Sequence, residues 1–271
     1  MAKLDSNAAW KDASSLVAAN RELFVVLAGV FFLLPGLASA VLVGEPPITP
    51  GMTSGQMMAM LREYYADTWW IIALSSVLQV VGMLAILTLM RDRRRPTVAE
   101  AIRAGFAGLL PYLAAQVLLA FAVVVIGGTA IGLAAAVLPA LAVVLTLLLV
   151  AFVVFAAVRL VLVGPVIAVE GVRNPIAAMR RSWALTRGNF WRVFGFLVLV
   201  LILFVVVLAV IMLAVGLVLA LVSSGETQRV LAAVVSSALT ALGLLYFIGI
   251  TAAIHRQLGG ATMDAGVGTI A

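Results

Sequence analysis

Long windows without a single charge alternate along this chain with short polar, basic stretches. Residues 23–43, 69–90, 193–222 and 230–254 carry no Asp, Glu, Lys or Arg, and between 104 and 169 the only charge is Arg159. A hydrocarbon core about 30 Å thick takes roughly 20 apolar residues to cross as a helix, the one open structure that satisfies its own backbone inside lipid. The 66-residue window is too long for one span. Gly127-Gly128-Thr129 and Gly132 offer a break within it. The pattern therefore predicts six spans, at about 23–43, 69–90, 110–131, 136–163, 193–222 and 230–254; five is the alternative if 110–163 forms a re-entrant unit. A short tail, 255–271, follows the last span.

A second periodicity precedes the odd-numbered spans. Trp10, Ala13 and Val17 recur at helical spacing within 5–21. Thr97-Val98-Ala99-Glu100 is a capping box that opens 97–109, with Ile102, Phe106 and Leu109 as its apolar line. Asn174-Pro175 starts 174–189, where Ile176, Met179 and Trp183 form the stripe and Gly188-Asn189 ends it. Ala8, Ala9, Leu16 and Asn20 also match Ala177, Ala178, Leu185 and Asn189 at a constant offset of 169. The expected fold class is all-α: a polytopic membrane protein in one domain, its six transmembrane helices arranged as three hairpins, each preceded by a short amphipathic interfacial helix. The segment between the first two spans is the exception, with Pro46-Pro47, Pro50-Gly51 and a further short interfacial helix expected at 56–65.

Composition agrees with this reading and narrows the chemistry. Of 271 residues, 65% are hydrophobic and 10% charged, far from the half and quarter usual in soluble domains. The absence of cysteine removes disulfides and thiolate chemistry. A lone histidine, His255, cannot build a multi-histidine metal site, and at the end of the last span it reads as an interfacial residue. No cofactor or metal site is expected, and no nucleotide-binding or hydrolase motif is present. The formal charge of +6 is an orientation signal. With the N-terminus inside, fourteen Lys and Arg flank the spans on the cytoplasmic side, among them Arg91, Arg93, Arg94 and Arg95, against Arg62 and Arg229 on the other. Both termini are thus expected in the cytoplasm, and nucleic acid is not an expected partner.

Two features carry candidate function. Arg159 is the one charge deep in a span, where arginine costs at least about 2.5–3.5 kcal/mol, so it should snorkel, pair or bind an anion; Glu22 and Glu100 are the expected carboxylate partners. Arg180, Arg181, Arg187 and Arg192 cluster beside Trp183 and Trp191, a combination that attracts anionic headgroups.

The stretch 166–171 (VIAVEG), Arg173-Asn174-Pro175 and the run 181–192 (RSWALTRGNFWR) resemble the membrane domain of bacterial glycerophosphoryl diester phosphodiesterases and related inner-membrane families. The resemblance implies an all-helical, multi-pass protein of the bacterial inner membrane. It does not imply the activity, because the catalytic barrel of that family, about 250 residues, has no room in this chain. The resulting expectation is a non-enzymatic interaction, scaffold or lipid-organising component, with anionic membrane lipids and a membrane protein or a second copy as partners. The alternative is a transporter or lipid-handling protein for an anionic substrate or headgroup.

Overall fold

The computed structural model describes residues 3–44, 46–90 and 96–267, with side chains through Gly259. Arg91, Arg93, Arg94 and Arg95 of the basic flank lie outside the described residues. All regular structure in the described part is helical.

Helix α1 (Ser6–Ala19) is capped by the Asp5 carboxylate, which accepts from the backbone N–H groups of Asn7 and Ala8. Helix α2 (Arg21–Leu42) follows after Asn20. Its middle widens into a π-turn at Gly29–Leu33, just before Pro35. A proline ring in a regular helix strikes the carbonyl four residues back, here that of Phe31, and the wide turn relieves that conflict. Helix α3 (Ser54–Leu89) is opened by a Thr53/Gln56 capping box and runs unbroken for 36 residues, so the separate short helix expected at 56–65 is instead its first turns.

Helix α4 (Val98–Val137) also differs from expectation. The capping box at Thr97 is present, but no boundary separates 97–109 from the span, because the helix already has a packed face in that region. A Cβ on Gly105 would lie 2.7 Å from the Val81 carbonyl oxygen of α3. The glycines at 127–132 do not break the chain either. Gly127 lets α5 (Pro139–Leu160) approach, since a Cβ there would lie 2.7 Å from Leu149. The break falls at Leu138, in extended backbone before Pro139.

Helix α5 gives way at Val161 and Leu162 to the short, wholly packed α6 (Val163–Val169). Helix α7 (Pro175–Leu185) follows, with Asn174 Oδ1 accepting from the Ala177 N–H. Helices α8 (Phe190–Val222) and α9 (Gly225–Val267) complete the chain, and α9 continues well past residue 254. Among the described residues, six helices are long and apolar enough to cross a membrane, the number predicted.

The buried residues form two clusters. One gathers around α1, α6 and α7, beside Arg159 and the Arg180–Arg192 cluster, and includes Leu162, Val166, Ile167, Val193, Ile250 and Ile254; the other joins α2, α3 and α9 through Phe24, Phe31, Val81, Ile86 and Leu245. Away from both, α4, α5 and α8 present Leu133, Val137, Leu147, Val205 and Leu213 outward, as lipid contact requires.

Three helix starts share a register. Four residues after the caps Asp5, Thr97 and Asn174 stand Ala9, Ala101 and Ala178, all fully buried. Four further on stand Ala13, Gly105 and Ser182, again buried. Small residues at this spacing let each start lie close against a span: α1 against Gly249 of α9, the first turns of α4 against Val81 and Ala85 of α3, and α7 against the end of α5. The offset of 169 continues into the spans, where Phe24 and Leu27 answer Val193 and Phe196, all buried.

Candidate functional site

The turn after α5 leaves the Arg159 carbonyl without a helical donor. Two hydroxyls, one in α7 and one at its C-cap, supply one instead: Ser182 Oγ donates to it at 2.8 Å and Thr186 Oγ1 lies at 3.3 Å. Both residues are fully buried, and this contact fixes α7 across the end of α5.

The Arg159 side chain then lies among aromatic rings. Its guanidinium carbon is 5.1 Å from the centre of the Trp183 ring, 5.3 Å from Phe155 and 6.0 Å from Phe190. Such contacts are worth about 0.5–2 kcal/mol each, and a cation at a helix C-terminus gains about 0.3–1 kcal/mol more. They stabilise the charge but accept no hydrogen bond. Nε and Nη1 of Arg159 are buried and have no hydrogen-bond partner. The expected carboxylates are elsewhere: Glu100 closes the capping box, accepting from the Thr97 N–H at 2.9 Å, and among the described residues no ion pair reaches Arg159.

Arg159 opens on a recess of about 650 Å³ between α4, α5 and α7. Arg180 and Trp183 line it from α7, Arg187 from the turn that follows, and Leu118, Ala122 and Phe152 from the two spans. Arg180 and Trp183 share the outward face of α7, while Ala178, Ser182 and Leu185 face the protein. The stripe expected from Ile176, Met179 and Trp183 is therefore rotated. Ile176 is 58% exposed, because the buried side of α7 is set by small and hydroxyl residues that meet α5 and α6.

The remaining candidates lie outside the recess. Arg181 turns inward, its Nε donating to both carboxylate oxygens of Glu170 at 3.0 and 3.2 Å. Arg192 Nη1 donates to the Leu4 carbonyl at 3.5 Å, beside the 3.0 Å bond from the Leu4 N–H to Asn189 Oδ1. Trp191 is 77% exposed, edge-on to Phe190 and Phe194.

Sequence reasoning missed one cluster. His255 is buried in α9, and its Nε2 lies 2.9 Å from Glu170 Oε1, so it is not an interfacial residue. Burial alone would raise the Glu170 carboxyl, but the hydrogen bonds and charges of His255 and Arg181 outweigh it and hold the group below the ordinary glutamate value. The available signal was a carboxylate placed straight after an apolar run and before Gly171, whose φ of 74° reverses the chain toward α7. Among the described residues no group of three or more His, Asp or Glu side chains converges.

Residues 136–258 match the family described as the membrane domain of glycerophosphoryl diester phosphodiesterase. The match begins just before α5 and takes in Arg159, Glu170, all of α7 and His255. It includes the 181–192 run on which the resemblance rests, and the resemblance holds. The α4 wall of the recess lies outside the matched residues. No curated protein and no solved structure matches the chain.

Proposed function

We propose that the protein is a non-enzymatic, lipid-organising component of the bacterial inner membrane that binds the anionic phosphate of a ligand in the Arg159 recess. The observation that carries this reading is a guanidinium that has no carboxylate partner among the described residues and lines a recess where Arg180 and Arg187 add positive charge. A phosphate oxygen there would pair with the guanidinium where it lines the recess, the strong, charge-assisted kind of hydrogen bond. The other basic residues near the site are already committed, Arg181 to Glu170 and Arg192 to Leu4. The Lys and Arg asymmetry of the flanks supports cytoplasmic termini, which sets the recess at the anionic inner leaflet. The shared register after Asp5, Thr97 and Asn174 supports a plan of three units, each a surface-lying helical start followed by two spans.

The test is lipid analysis of the full chain purified in mild detergent, beside Arg159→Gln and the double variant Arg180→Gln/Arg187→Gln. Anionic phospholipid should be retained by the wild type and depleted in both. Equal retention in all three would overturn the reading.

A further inference from the structure

The recess has two chemically different ends. Arg159, Arg180 and Arg187 stand at one. From there Arg159, Ala156 and Phe152 run along one stripe of α5, facing Leu118 and Ala122 of α4, so the walls become apolar over about 10 Å of helix. A water-borne phosphate compound needs only the arginine end. The apolar end fits a ligand that brings hydrocarbon with it.

The molecule holds a counterpart without the charge. Where α1 crosses the seam between α8 and α9, Trp10, Phe204, Leu239 and Tyr246 line a cavity of about 250 Å³ that has no charged residue. In register, α1 corresponds to α7, and both cross a seam between two spans with a tryptophan. At the α1 seam the head end is closed by Trp10 stacked on Tyr246, with centroids 6.3 Å apart. At the α7 seam that end carries three arginines. Of these two crevices only the α7 one is lined by charged residues, and it is the larger.

We infer that the Arg159 recess is a berth for a single phospholipid, entered sideways from the bilayer, with its phosphate at Arg159 and one acyl chain along the Leu118–Ala122 face of α4. The inference rests on the anion-binding reading above and adds to it the class of ligand and the route. Lipid tails are as apolar as these walls, so the chain gains little by moving from bilayer to seam. The head sets the affinity, and the seam decides which phosphate compounds fit.

The experiment uses the full chain in mild detergent, dioctanoyl phosphatidic acid as the lipid probe and glycerol 3-phosphate as the soluble probe. Binding is read by native mass spectrometry, and folding by thermal unfolding. Wild type should hold one lipid per chain, and a hundredfold excess of glycerol 3-phosphate should leave that population in place. Ala122→Trp, which fills the apolar end, should weaken lipid retention at least tenfold while glycerol 3-phosphate raises its unfolding temperature as much as that of the wild type. Leu133→Trp, further along α4 at a 67% exposed position, should behave as wild type. Should Ala122→Trp not accumulate, Leu118→Trp repeats the test on the same wall. Undiminished lipid retention in the filled variant, or one-for-one displacement by glycerol 3-phosphate, overturns the berth and leaves an anion site. If neither probe binds the wild type, the anion-binding reading fails first and takes the berth with it.

Discussion

The imidazole of His255 hydrogen-bonds the carboxylate of Glu170 across 85 residues of sequence, at 2.9 Å. An ionised carboxylate only accepts, so Nε2 carries the proton and donates. Arg181 takes up both oxygens of the same carboxylate. One acidic side chain thereby ties α9, the buried α6 and α7 together.

Glu170 should accordingly be a stability determinant with a defined pH dependence. Its carboxyl sits below the ordinary glutamate value of 4.5, so its contribution is fully present above that pH and is lost as pH falls through the lower folded value. Glu170→Gln should destabilise the purified protein by about 1–3 kcal/mol near neutral pH and flatten the acid limb of its unfolding temperature. An unchanged acid limb would show that other groups govern it.

Arg159 is expected to behave in the opposite way. Among the described residues it has no carboxylate partner, and its Nε and Nη1 are buried unpaired, so Arg159→Leu should leave detergent stability within about 1 kcal/mol of wild type or raise it while reducing bound anionic lipid. A loss of more than about 3 kcal/mol, the usual consequence of breaking a buried pair, would argue for an ionic partner.

Gly105 offers a packing test. A Cβ there meets the Val81 carbonyl at 2.7 Å, a backbone atom that cannot swing aside. Gly105→Ala should cost about 1–3 kcal/mol, measured as thermal aggregation in detergent. Gly132→Ala, with nothing within 4 Å, should be neutral or slightly stabilising through helix propensity.

Topology can be checked directly, because the chain has no cysteine. Single cysteines at Ser54 and Gly225 should react with an impermeant thiol reagent applied to intact cells, and one at Asn7 should not. Reaction at Asn7 would reverse the orientation.

Much of the fold was legible because it is local. Uncharged windows mark the spans, and Thr97-x-x-Glu100 and Asn174-Pro175 mark helix starts that the structure retains. The unbroken length of α3 and α4 was not legible. Polar residues such as Arg62 and Glu63 look like a boundary, yet a helix can carry them beyond the bilayer without breaking. At the site, Arg159 stood out as a lone charge, and three of the six other candidate basic and aromatic residues join it or line its recess, namely Arg180, Trp183 and Arg187. Its aromatic surroundings and the Glu170–His255 bond depend on how distant helices meet, and spacing along one chain does not encode that.

The seating of α1 against α9 has a consequence for how the protein is made. Residues 6–19 leave the ribosome long before 225–258, yet Ala13 packs on Gly249 and the Asp5 N–H donates to Gln257 Oε1. The alanine face of α1 has no α9 to pack on until that span has been made. Docking of α1 is therefore a late step, and a ribosome stalled before α9 would leave Ala9, Ala13 and Val17 open as a mark of an unfinished chain.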